Sequence, residues 1–265
     1  MSEAPQPRAS APEPAEPHSI TDFPDEWYEM ASADHFWLRW RVAAALLQVD
    51  AVGLPRAQPL RVLDVGGGTG VLREQLEAVT EWTIDITDLH PAAVARARRG
   101  RGGNLCYDIS EERTDVHGSY DAALLFDVLE HVDRPVAFLS SLARHLVPGG
   151  RLLVNVPAMQ ALFSGYDVAA GHLRRYDRGS LGAELEQAGF SVDDARYWGL
   201  SLVPLLLARK VMLGTRSGPD VIRAGFCPPH RWINGLLLGA MRAETALLRR
   251  PPLGTSLLAA ARRRG

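Results

Sequence analysis

Two stretches of this chain hold residues whose types and spacing could do chemistry. The first is Leu63-Asp64-Val65-Gly66-Gly67-Gly68-Thr69-Gly70, in which Asp64, Gly66, Gly68 and Gly70 fall at alternate positions. Glycine has no Cβ, so such a turn lets backbone come close to a ligand and aim N–H groups at it. A phosphate loop requires a lysine that is absent here, and a dinucleotide fingerprint requires a third glycine where Val71 stands. The acid beside the loop argues further. A carboxylate at Asp64 repels a pyrophosphate and attracts an ammonium group. S-adenosylmethionine (SAM) carries an ammonium, which makes it the expected ligand. A strand-turn-helix with no ligand is the plainer reading.

The second stretch runs Phe163-Ser164-Gly165-Tyr166-Asp167 and then Gly171-His172-Leu173-Arg174-Arg175-Tyr176. An imidazole titrates near neutrality, which suits His172 to act as general base with Asp167 to orient it. Arg174 or Arg175, followed by Tyr176, could hold an anionic group of a second substrate. His131, in Asp127-Val128-Leu129-Glu130-His131, is the rival base. The plainer reading is a salt-bridged lid whose His172 and arginines only order the loop. No histidine or cysteine falls at metal-ligand spacing, so no metal is expected.

These residues need a scaffold that brings them together. Apolar runs at 60–63, 82–86, 104–107, 120–126 and 151–156 predict strands, and the patterns at 71–79, 92–99 and 135–146 predict helices between them. Such alternation gives a parallel sheet with right-handed crossovers, which binds ligands outside the carboxyl ends of its strands. Asp64, Asp88, Asp108 and Asp127 all fall at such ends. Asp88 suits a pair of ribose hydroxyls, which SAM and NAD share. Asp108 could accept an adenine amino group, with Ile109 against the ring. The plainer readings are a helix cap for Asp88 and a turn acid for Asp108. Arg96, Arg98, Arg99 and Arg101 read as cations answering a helix C-terminus.

Residues 20–50 read as a helix or helix pair, dense in aromatics at Trp27, Tyr28, Phe36, Trp37 and Trp40. They either cap the sheet or form a lid over a ligand whose carboxylate Arg41 reaches. Such a partly buried contact contributes roughly 1.5–3 kcal/mol. The segment 1–19, with Pro5, Pro7, Pro12, Pro14 and Pro17, reads as a disordered tail and not as a signal peptide. The formal net charge of −2 exerts no general pull toward nucleic acid. Cys106 and Cys227 make no disulfide framework, so a reducing, cytoplasmic location is expected. No run reaches the roughly 18 apolar residues of a membrane span.

Taken together, Val62 to Gly70, Asp88, Asp108-Ile109, the 120–132 segment with Leu129-Glu130-His131, and Pro148 to Val154 resemble the class I SAM-dependent methyltransferases. Within that class the chain is similar to the small-molecule branch that includes the ubiquinone-biosynthesis O-methyltransferases. The resemblance implies an α/β, Rossmann-like three-layer sandwich with a seven-stranded, mostly parallel sheet whose last strand is antiparallel. It implies one methyltransferase domain over 20–265, with an N-terminal helical lid over 20–58 and a helical insertion over 199–250. It implies SAM as cofactor and S-adenosylhomocysteine as product. The cofactor set is then Arg41, Asp64, Gly66, Gly68, Gly70, Asp88, Leu89, Asp108, Ile109, Phe126 and Asp127, with Arg41 on the cofactor's carboxylate. The catalytic and acceptor sides fall to His172, Asp167 and His131, and to Arg174, Arg175 and Tyr176. The acceptor is a small or lipid-like molecule. The apolar insertion packs as extra core, walls a greasy substrate or lies on a membrane surface. An NAD-dependent oxidoreductase and a non-catalytic SAM-binding scaffold are the competing readings.

Overall fold

The computed structural model describes residues 35–111, 113–213 and 231–265. The tail expected over 1–19, Trp27, Tyr28 and Cys227 lie outside these. Seven strands, β1 (Arg61–Val65), β2 (Thr83–Asp88), β3 (Asn104–Cys106), β4 (Tyr120–Phe126), β5 (Leu146–Pro157), β6 (Phe190–Trp198) and β7 (Ser256–Arg263), form one sheet. Its order is β3-β2-β1-β4-β5-β7-β6. Every pair up to β5 is parallel, while β7 runs antiparallel to both β5 and β6. This is the architecture expected from sequence, with the reversed strand inserted one place from the edge. The order reverses between β1 and β4, where a sheet of this kind opens a crevice.

The central strands read as continuous apolar runs because both faces are covered. Along β4, Ala123 and Leu125 enter one core, and Ala122, Leu124 and Phe126 enter the other. The first core holds α4 (Pro135–His145) through Leu139 and Leu142, and α6 (Arg178–Gln187) through Leu181 and Leu185. The second holds α1 (Phe36–Ala51) through Trp40, Ala45 and Val49, and α2 (Val71–Glu77) through Leu72 and Leu76. By strand alternation Asp64 shares the face of Val62, in the second core, so its carboxylate is committed to the side that α1 covers.

The arginine run departs from expectation. Helix α3 (Pro91–Arg96) ends before most of it, because Ala97 turns to an extended conformation, ψ 132°. Arg98 pairs with Glu74, and Arg101 donates to the carbonyls of Trp82 and Thr80. These side chains fasten the β2–β3 connection to α2, and only Arg96 lies in the last helical turn.

The segment after β6 carries α7 (Val203–Leu213) and α8 (Arg231–Leu247), preceded by a short 3₁₀ turn at Leu200–Leu202. It is tied into the domain. Leu202 and Met241 are buried in the second core, and Trp40 Nε1 donates to Thr245 Oγ1 at 3.0 Å. The buried Glu244 carboxylate accepts the N–H groups of Gly199, Leu200 and Ser201 at 2.8–3.0 Å. A helical start leaves such donors unmet, and Glu244 reaches across from α8 to satisfy them. Other apolar side chains of these helices, Leu205, Trp232 and Leu236, remain exposed. Glu244→Ala is expected to destabilise the fold by about 3 kcal/mol, read by urea denaturation, because one buried and two partly buried donors lose their acceptor. A change below roughly 0.5 kcal/mol would show that this clamp does not hold the segment.

Candidate active site

The glycine turn after β1 is shaped by its neighbours. Gly66 has φ 69°, a left-handed conformation that side chains resist. A Cβ on Gly67 would lie 2.8 Å from Asp64 Oδ2, so that position must lack one. The turn's N–H groups point inward, which corrects the expectation from sequence. Gly66 and Gly67 donate to the Thr87 carbonyl at 2.8 and 3.3 Å, and Gly70 donates to Gly67. Gly68 donates to Asp88 Oδ2 at 2.9 Å. The loop therefore offers an open shape and no set of donors for a phosphate.

Asp64 is 1% exposed, and its Oδ2 has no hydrogen-bond partner among the described residues. Burial pushes its carboxyl up to about 7, and the charges of Arg41 and Arg73 only partly offset this. Arg73, buried in α2, is engaged by Asn104 and by loop carbonyls of Gly103 and Arg98. Arg41 comes from α1 and donates through Nη1 to Asp127 Oδ2 at 2.5 Å. Its guanidinium packs 5.2 Å from the Trp37 ring and 5.7 Å from the Phe126 ring, and its Nε has no hydrogen-bond partner among the described residues. Two buried groups of opposite polarity thus stand unmet beside one turn.

The strand ends open on a cleft of about 110 Å³. Of the predicted residues it is lined by Gly66, Gly68, Asp88, Leu89, Asp108, Ile109, Asp127 and His131. Asp64, Gly70, Phe126 and Arg41 stand outside the lining. Asp88 Oδ1 accepts from the His90 N–H and Asp108 Oδ1 from the Ser110 N–H, so both acids also brace their own turns. The sequence reading missed Tyr107 and Phe138, which line the same cleft. Phe138 lies on the core face of α4, where nothing in the pattern separates a wall residue from packing.

The second stretch folds over the β4 end. Tyr176 exchanges backbone hydrogen bonds with β5, donating to Pro157 and accepting from Met159, both at 2.9 Å. Leu173 donates to the Glu130 carbonyl, and His131 Nδ1 bonds the Gly171 carbonyl at 3.1 Å. Asp167 is fully enclosed and takes four hydrogen bonds. Ser164 N and Oγ approach Oδ2, while His172 Nδ1 and Arg175 Nε approach Oδ1. Burial works against its charge, yet the bonds from His172 and Arg175 prevail and hold the carboxyl at about 2. A carbonyl beside His131 Nδ1 and a carboxylate beside His172 Nδ1 place a proton on each of those nitrogens. His172 Nε2 lies 4.0 Å from Glu130 Oε1, and the two imidazoles meet edge to face at 5.0 Å.

His131 lines the cleft and His172 packs edge to face against it, so the two candidate bases form one unit. Burial, then the neighbouring His172, pushes His131 down to about 4. Burial and the charge of Asp127 raise Glu130. Glu130, absent from the predicted site, brings a metal-capable donor set with it. One ligand atom each of Glu130, His131 and His172 lies within 4.8 Å of the others. Sequence spacing hid this set, because His131 and His172 are 41 residues apart in the chain. The predicted anion site fares differently. Arg175 is buried against Asp167 and the Ala158 carbonyl, and Tyr176 is 1% exposed. Both face the lid's interior. Arg174 is half-buried and reaches the Asp133 carbonyl at 3.4 Å.

A reversed-strand Rossmann-like sheet with an acid before a glycine turn defines a nucleoside-binding α/β protein. The chain belongs to the methyltransferase-domain family, whose model matches residues 37–195. Among its curated relatives are ubiquinone biosynthesis O-methyltransferases. That of Xanthomonas oryzae pv. oryzae is 36% identical over 101 residues, which is 36% of this chain and 42% of the relative. That of Parvibaculum lavamentivorans is 30% identical over 110 residues, 40% of this chain and 44% of the relative. The matched region thus spans less than half the length of these relatives.

Solved structures share the fold. Phosphoethanolamine N-methyltransferase 2 of Haemonchus contortus, in complex with S-adenosyl-L-methionine, aligns with TM-score 0.53 and 16% identity over 83% of this chain and 52% of that one. The 1,6-didemethyltoxoflavin-N1-methyltransferase of Burkholderia thailandensis aligns with TM-score 0.51 and 20% identity over 91% and 82%. The [4+2]-cyclase SpnF aligns with TM-score 0.54 and 21% identity over 84% and 81%.

The raised Asp64 carboxyl makes a stability prediction. A carboxyl whose pKa rises from 3.8 to about 7 on folding favours the folded state below pH 4, and that contribution is lost as pH rises through 7. Asp64→Asn removes the loss. It is expected to stabilise the protein at pH 8 by on the order of 3–4 kcal/mol and to change little at pH 4. Denaturant curves that shift equally at both pH values would exclude this account of Asp64.

Proposed function

We propose that this chain is a SAM-dependent methyltransferase acting on oxygen or nitrogen of a small, hydrophobic acceptor. The observation that carries the reading is the pair of unmet buried atoms beside the glycine turn, Asp64 Oδ2 and Arg41 Nε. A molecule that brings an ammonium and a carboxylate on one carbon fits both. An NAD pyrophosphate fits neither, since the turn's glycine N–H groups are already engaged.

When bound, SAM supplies an electrophilic methyl group on a sulfonium. The protein's share is binding, orientation and proton removal. Asp64 takes the ammonium directly or through water, and Arg41 takes the carboxylate. Asp88 receives the ribose hydroxyls beside Leu89, and Asp108 and Ile109 flank the adenine. On the acceptor side Asp167 keeps the Nδ1 proton on His172, so Nε2 is the atom that removes the acceptor's proton, with His131 packed edge to face beside it. Alignment can supply roughly 7–11 kcal/mol, and a general base contributes ~10²–10⁴-fold. Arg174, the half-buried arginine of the lid, remains the candidate for an anionic acceptor group. The exposed Leu205, Trp232 and Leu236 support a greasy acceptor or a contact with a membrane surface. No helix among the described residues is long and apolar enough to cross a membrane.

Calorimetry with SAM tests the cofactor half. At pH 6.5 Asp64 is mostly protonated in the free protein and ionises beside the bound ammonium, so binding is expected to release most of one proton. Titration in two buffers of different ionisation enthalpy reads this release. Absent binding by a folded sample overturns the function, and equal release by Asp64→Asn overturns the role of Asp64. For the base, His172→Ala is expected to lower turnover about 10²-fold or more while SAM affinity holds. The metal-capable trio supports a second reading, in which a cation orients the acceptor. Activity lost to a chelator and restored only by a divalent ion would decide for it.

A further inference from the structure

Asn155 is completely buried near the end of β5, in a strand that is otherwise apolar over 152–156. An amide there is costly unless every polar atom is matched. Its Nδ2 donates to Asp127 Oδ1 at 2.7 Å, its Oδ1 accepts from Trp198 Nε1 at 2.9 Å, and its carbonyl accepts from the Asp127 N–H at 2.9 Å. Asp127 is thus gripped at two points. It sits at φ 61°, a left-handed conformation that a residue with a Cβ keeps only where its surroundings impose it. The Trp198 ring lies 5.2 Å from that of Trp40 and 6.0 Å from that of Trp37, both on the helix that carries Arg41. The contacts therefore close a ring: α1, Arg41, Asp127, Asn155, Trp198 and back to α1.

We propose that Asn155 and Trp198 are positioning residues, which fix Asp127 so that Arg41 presents the unmet edge of its guanidinium to the carboxylate of the cofactor. This rests on the reading that Arg41 binds that carboxylate. Asp127 holds Nη1 and leaves Nε buried without a hydrogen-bond partner among the described residues. A planar guanidinium anchored on one edge cannot turn away, so the carboxylate meets a donor that is already ordered. Without Asn155, Asp127 can leave its left-handed conformation and Arg41 loses its anchor. Neither Asn155 nor Trp198 lines the cleft, and both act through Asp127.

Calorimetry with two nucleosides tests this. S-adenosylhomocysteine carries the amino-acid group, with its carboxylate and ammonium, and 5′-methylthioadenosine is the nucleoside thioether without that group. Asn155→Ala is expected to weaken S-adenosylhomocysteine about tenfold or more and to leave 5′-methylthioadenosine within about twofold. Trp198→Phe keeps the ring packing and removes only the N–H donor. It is expected to shift the same ratio in the same direction by a smaller factor, so a poorly folded Asn155→Ala does not stall the test. Equal loss for both nucleosides marks a merely structural role and overturns the proposal. So does unchanged S-adenosylhomocysteine affinity in folded variants. A wild-type protein that binds neither nucleoside overturns the cofactor reading itself.

Discussion

A carboxylate sealed at the end of β1 is the constraint around which this protein is arranged. Asp64 has almost no solvent and one oxygen without a partner. An isolated buried charge is expensive, so the surroundings must either neutralise it or supply cations. They do part of each. Arg73 from α2 and Arg41 from α1 approach from two helices, and the carboxyl still sits near 7. Each cation needs its own support. Arg73 is held by the β2–β3 connection, and Arg41 by Asp127 and two aromatic rings. The helix that brings Arg41 must in turn be seated on the sheet, which Trp40 and Val49 achieve in the second core. The fold is thus built so that its sheet can carry one unsatisfied acid at a ligand-facing turn.

Asp64 and Asp167 show how the same side chain acquires opposite character. Both are enclosed, and burial raises both. Asp167 accepts four hydrogen bonds, two of them from His172 and Arg175, and falls to about 2. Asp64 has an oxygen with no donor and rises to about 7. Asp167 is therefore a permanent anion, fit to fix the tautomer of a base. Asp64 stands at the edge of ionisation, where a cationic ligand decides its state.

Much of this was legible in the chain. The five predicted parallel strands appear, because apolar runs buried on both faces leave a strong signal, and the reversed partner at the C-terminus appears as the family resemblance implied. The acids at strand ends were legible for the same reason: a charged residue closing a run of Leu, Val and Ile is conspicuous. What the chain hid are contacts across long separations. Asn155 reads as one polar residue in a strand, and only the β4–β5 register places it against Asp127. Glu130 gains meaning only when the lid sets His172 beside it. The direction of the glycine N–H groups was misjudged because local pattern predicts the turn but not that Thr87 and Asp88 of β2 accept its donors. Arg175 was misassigned because a Gly-His-x-Arg-Arg-Tyr run cannot say which arginine turns inward.

The shared fold does not choose the reaction, since an alignment of similar quality reaches both methyltransferases and a [4+2]-cyclase. The choice lies in the acceptor side, and there the charges are informative. Burial raises Glu130, which favours its neutral acid form, and burial lowers His131, which keeps its imidazole neutral. Arg175 is matched by Asp167. Under the proposed function, the buried wall facing the acceptor is therefore close to electrically neutral, although it is made of ionisable residues, and the half-buried Arg174 is a cation of the lid outside it. A neutral wall discriminates against an acceptor whose charge lies next to the reacting atom, because that charge would lose its hydration and gain no partner. A hydroxyl or an uncharged nitrogen on an apolar body meets no such penalty. Under the proposed function, His172 held by Asp167 is the base that takes its proton as the new bond forms.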